Sequence, residues 1–148
     1  MKYILTPQPR EICLSGQKLP IGAVRGDFMQ CQETFCQYLS AFYNARPNGT
    51  GAIITVKASE ALQAESYEIS CGNNEIIISA SDSRGAHHAF ATLLQLSEEN
   101  DGRIYISGAE IKDAPHCPYR GLMIDVARCE HSIDSVSYTH LTLPTIRL

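Results

Sequence analysis

Residues 75–96 read EIIISASDSRGAHHAFATLLQL, and the change of rhythm inside that stretch decides the fold class. Residues 75–80 are almost continuously apolar and suit a strand lying centrally in a sheet. From Asp82-Ser83 onward the pattern turns helical. Ala86, Ala89, Phe90, Leu93 and Leu94 fall on one side of a helix running to about Leu96.

Working outward, residues 67–70 form a strand joined to this one through Cys71-Gly72-Asn73-Asn74. Those turn residues tolerate positive φ, so the spacing predicts a hairpin. GAIITVK, residues 51–57, is a β-branched run that suits a buried strand. Before it, Phe28, Cys31, Phe35, Leu39 and Phe42 recur every three or four residues behind Asp27, an N-cap type. This predicts an amphipathic helix to about Tyr43, stopped by Pro47-Asn48-Gly49. Short strands are expected at 11–14 and 19–24. Asn100-Asp101-Gly102 closes the unit, and a strand resumes at 104–107. The reading is α+β: a single mixed or antiparallel sheet with two helices on one face, which buries every apolar stripe at once.

After Asp113 the character changes. Ala114-Pro115-His116-Cys117-Pro118 marks a domain entry, and residues 119–125, YRGLMID, look like a parallel barrel strand with its chemistry at the C-terminal end. A barrel needs about 250 residues, so this is an orphan first strand of a (β/α)8 barrel. The expected organisation is a domain over 1–115, the start of a truncated barrel over 116–136, and a tail over 137–148. VSYTHLTLPTIRL, from Val136, lacks helical spacing and resembles translated sequencing-adapter bases.

Composition excludes several classes. Twelve basic against sixteen acidic residues form no basic stripe, so nucleic acid is not an expected partner. No apolar run approaches the roughly 20 residues that span a bilayer, and no signal-peptide core precedes Pro7, so a cytoplasmic setting is expected. The six cysteines form no C-x-x-C pair and read as buried or idle thiols rather than metal ligands. His87 and His88 are adjacent, point about 100° apart on a helix, and cannot easily share an ion. Asn48-Gly49-Thr50 is a formal glycosylation sequon, better read as a turn. Neither metal nor cofactor is expected.

Two stretches carry a family resemblance: SDSRGAHHAFATLLQL (81–96) and IKDAPHCPYRGLMIDVAR (111–128). Together they resemble the domain junction of glycoside hydrolase family 20, the β-N-acetylhexosaminidases. Gly85, Thr92, Leu93, Gln95 and Leu96 match that family's closing helix. Asp113 and Pro115 match its Asp-x-Pro turn, and Arg120, Gly121, Asp125 and Arg128 match its first barrel strand.

The resemblance implies a non-catalytic, zincin-like N-terminal domain without the H-E-x-x-H of a protease. Its partner would be its own missing catalytic barrel. The parent would release terminal N-acetylhexosamine from glycans with retention, using the substrate's acetamido oxygen as nucleophile. The family's catalytic Asp-Glu pair lies beyond this chain, so no catalytic residue is expected here. Arg128 would bind hydroxyls of the terminal sugar through its rigid guanidinium fork, and Asp125 would brace the strand end. Cys129-Glu130 stand where relatives place a histidine. The alternatives are a stand-alone carbohydrate-binding or interaction module, which the absence of tryptophan disfavours, and the same domain from an O-GlcNAcase-like or α-glucuronidase-like hydrolase.

Overall fold

The computed structural model describes residues 5–72 and 74–121. The chain divides into two compact units, Met1–His116 and Cys117–Leu148. Residues 117–121 are the described part of the second.

The first unit runs β1 (Glu11–Gly26), α1 (Met29–Tyr43), β2 (Ala52–Ala58), β3 (Tyr67–Cys71), β4 (Glu75–Ala80), α2 (Ser83–Gln95), β5 (Ser97–Asn100) and β6 (Arg103–Asp113). The strands form one six-stranded mixed sheet in the order β1-β2-β4-β3-β6-β5. β1 and β2 are parallel, as are β2 and β4; the remaining neighbours are antiparallel. β1 also pairs with β6 over its N-terminal half, so the pairings return on themselves.

Alternation along the strands sets the core. Ile54 and Val56 of β2, Ile69 of β3, Ile76 and Ile78 of β4, and Ile106 and Ile111 of β6 are fully buried. Helix α2 packs on β3 and β4, and α1 packs on α2 and β1. The helix contact centres on Phe35 and Phe90, whose rings stack with centroids 4.8 Å apart. Such a pair is worth about 0.5–1.5 kcal/mol beyond its buried area. The Tyr43 hydroxyl donates to Ser97 O at 2.9 Å, fastening the end of α1 where α2 passes into β5.

Four expectations need correction. The two short strands at 11–14 and 19–24 are one long β1. Ser15-Gly16 is a register shift between Leu14 and Lys18 rather than a break. Asp27 does not cap α1. Phe28 occupies the cap in a left-handed conformation with no side-chain cap, and the Asp27 carboxylate accepts the Ala58 amide at 2.8 Å instead. Gly26, at φ 112°, lets the chain turn there; a Cβ would lie 2.1 Å from Val56 O.

Phe42, read as core, is 69% exposed. Gln32 is drawn inward by donating to Gly26 O and Asp27 O, so the buried stripe runs through Gln32, Phe35 and Leu39. Phe42 is left on the flank beside Tyr38. The strand read at 104–107 is the middle of an eleven-residue β6. It is paired to β5 through a hairpin whose turn residues, Asp101 and Gly102, have φ 50° and 72°.

Candidate functional site

The residues that the sequence singles out within the first unit converge on helix α2 and the end of β6. At the start of α2, Asp82 adopts an extended conformation. Its carboxylate accepts the Gly85 amide at 2.8 Å and the Glu65 amide at 3.1 Å. The Gly85 amide, above all, holds this carboxyl below its ordinary range. Arg84 donates to Glu65 at 2.8 Å, and His88 Nε2 lies 3.8 Å from the other oxygen of the same carboxylate. Gly85 sits against the 65–66 backbone, where a Cβ would be 2.5 Å from Ser66 O.

Two turns further along, the Thr92 hydroxyl shares a 2.7 Å hydrogen bond with the hydroxyl of Tyr67 and lies 3.1 Å from His88 O. Burial pushes the Tyr67 hydroxyl up to about 12, against the hydrogen bond from Thr92. It therefore stays protonated and donates to Asp113 at 3.3 Å. Leu93 and Leu96 are fully buried. The Gln95 amide makes a reciprocal pair with the Thr6 backbone, accepting at 2.8 Å and donating at 3.1 Å.

Asp113 ends β6. Its Oδ1 accepts the amides of Arg10 and Ala114, at 3.2 and 2.9 Å. The Arg10 guanidinium donates to Pro115 O at 2.7 Å. Beside this junction lies an open depression of about 270 Å3, lined among others by Arg10, Leu62, Tyr67, Lys112 and Asp113.

Chemically this arrangement ties elements together. Each hydroxyl and carboxylate in it is engaged within the domain, by a backbone amide, a carbonyl, an opposite charge or, for Tyr67, by the Thr92 hydroxyl and the Asp113 carboxylate. Among the described residues no group of three His, Cys, Asp or Glu could hold a metal ion, and no helix is long and apolar enough to cross a membrane. Asp125 and Arg128, the expected bracing and sugar-binding residues, lie outside the described residues. So does most of the expected strand at 119–125. Its described part, Tyr119 to Gly121, is not in a strand; Tyr119 is 89% exposed and Arg120 donates to Cys117 O at 2.9 Å. Arg10, Glu65 and Tyr67 were not singled out by sequence, because their partners stand far away along the chain and leave no local pattern.

Residues 2–114 match glycosyl hydrolase family 20, domain 2. The chain belongs to that family. Its relatives include a β-hexosaminidase of Vibrio furnissii, 34% identical over 139 residues, covering 89% of this chain and 23% of the relative. An N,N'-diacetylchitobiase of Vibrio harveyi is 39% identical over 82 residues, covering 54% of this chain and 9% of the relative.

Among solved structures, a GH20 exo β-N-acetylglucosaminidase from Vibrio harveyi, in complex with N-acetylglucosamine, superposes with a TM-score of 0.71 at 27% identity. It covers 86% of this chain and 21% of its own. The chain thus spans less than a quarter of the length of these proteins. CpGH84B shares the fold at 14% identity with a TM-score of 0.55, so the shape alone does not decide the family. Family 20 is decided by residues 2–114.

Proposed function

We propose that this domain is the non-catalytic part of a hydrolase that releases terminal N-acetylhexosamine from glycans, and that its partner is that enzyme's own catalytic barrel. The observation that carries this reading is the 34% identity to the Vibrio furnissii β-hexosaminidase. It runs over 139 residues, beyond the end of the family match at residue 114. Residues 1–115 then form the zincin-like domain, 116–136 open the (β/α)8 barrel with Tyr119–Asp125 as its first strand, and 137–148 are a tail. Asp125 braces that strand's end and Arg128 donates to hydroxyls of the terminal sugar. The fork of a guanidinium fits two adjacent hydroxyls. Hydrolysis is retaining and assisted by the substrate's acetamido group, through an Asp-Glu pair later in the barrel. The setting is cytoplasmic.

The domain's own contribution is architectural, because the polar groups of its family motif in the first unit, at Thr92, Gln95 and Asp113, are spent on internal ties. The exposed aromatic pair of the first unit, Tyr38 and Phe42, is no flat sugar-binding platform: its rings lie tilted by 41° on a helix. An independent read of the coding DNA beyond Arg128 tests the proposal. An Asp-Glu pair a barrel's distance downstream supports it, and a continuation with no barrel pattern defeats it.

A further inference from the structure

We propose that Arg10 and Asp113 form a clasp that locks the segment entering the first unit to the segment leaving it. The clasp fixes the path of the chain as far as Pro115. This inference goes beyond the hydrolase reading and does not depend on it.

The antiparallel ladder between β1 and β6 has Glu11 opposite Lys112 as its last rung, so the next would set Arg10 opposite Asp113. Proline follows closely on both strands, Pro9 before Arg10 and Pro115 after Ala114. With no amide hydrogen and a fixed φ, neither can extend a ladder. Left alone, the two strands would fray from this point.

Side chains take over where the backbone stops. Asp113 Oδ1 receives the amides of Arg10 and Ala114, and the Arg10 guanidinium reaches past the proline to Pro115 O. The other oxygen of Asp113 is held by Tyr67, its neighbour in register on β3, and Tyr67 is held in turn by Thr92 of α2. The grip on the leaving chain is therefore anchored in the core. Asp113 and Pro115 follow each other closely because one supplies the acceptor and the other ends the strand.

The test is amide hydrogen exchange by NMR on the full chain, with Asp113→Ala and Arg10→Ala. The amides of Arg10 and Ala114 should exchange about tenfold faster in Asp113→Ala, as expected when a local opening loses one or two hydrogen bonds. Those of Ile78 and Leu93 should change much less. In Arg10→Ala, whose side chain is exposed, trypsin should cut after Lys112 several-fold faster while thermal unfolding stays unchanged. That second variant decides the matter if Asp113→Ala fails to fold. Unchanged cleavage after Lys112, or acceleration of Ile78 and Ala114 by the same factor, would overturn the clasp.

Discussion

Replacing Gly85 with alanine sets two opposing terms against each other, and the structure says which wins. In a helix interior alanine is favoured over glycine by about 1 kcal/mol; Gly85 stands in the first turn of α2, so on propensity alone Gly85→Ala should stabilise the helix by at most that much. The new Cβ, however, would lie 2.5 Å from Ser66 O and 3.3 Å from both Glu65 C and Ser66 C, where ordinary contact begins at 3.4 Å. All three are backbone atoms and cannot rotate away. Relief requires the start of α2 to lift from the 65–66 segment, which also stretches the bonds from Glu65 to Asp82 and Arg84. Overpacking of this kind costs about 1–3 kcal/mol. After the propensity gain, a net loss of about 1 kcal/mol remains, up to about 2. With a urea slope of about 2 kcal/mol per molar, the unfolding midpoint should fall by roughly 0.5 M. Far-UV circular dichroism along a urea titration measures this. A midpoint equal to or above that of the parent would show that Gly85 is not a contact point.

Asp82→Ala should cost about 1 kcal/mol through loss of the cap. Because the folded-state pKa of Asp82 is lowered, its contribution is present above the ordinary carboxylate range and lost as pH falls through the folded value. The variant should therefore lose less stability than the parent in acid denaturation. Tyr67→Phe should cost on the order of 1 kcal/mol, read by urea unfolding at neutral pH. The Tyr67 hydroxyl is raised to about 12 in the folded state. Its stabilisation is thus full below an unfolded value of about 10 and drains away as pH rises through 12, at up to about 1.4 kcal/mol per unit. The variant should show a shallower alkaline decline. Calorimetry of the chain with chitobiose should register no binding heat, whereas a saturable isotherm would favour the carbohydrate-binding alternative.

The parts of the fold legible in the sequence were those whose partners lie near in the chain or whose apolar rhythm is unbroken. The β3–β4 hairpin, β2 and α2 all stand where the residues placed them. β5 was missed because Ser97-Glu98-Glu99-Asn100 is polar at a sheet edge, where no burial demands alternation. The continuity of β1 was hidden by Ser15 and Gly16, which look like an ending and are an irregularity within the strand. In α1, Phe42 and Gln32 exchanged roles because a buried glutamine with two backbone acceptors is indistinguishable, by spacing, from a surface one. Within the family motif, sequence marked Gly85, Thr92, Gln95 and Asp113 but not what they hold. Their partners Ser66, Tyr67, Thr6 and Arg10 become visible only once the sheet is assembled.

The division of labour between this domain and a separate catalytic body is tested most directly by assaying the purified 148-residue chain on a nitrophenyl N-acetylglucosaminide. No release of nitrophenol above the uncatalysed rate is expected. Steady, saturable turnover by this chain alone would contradict it.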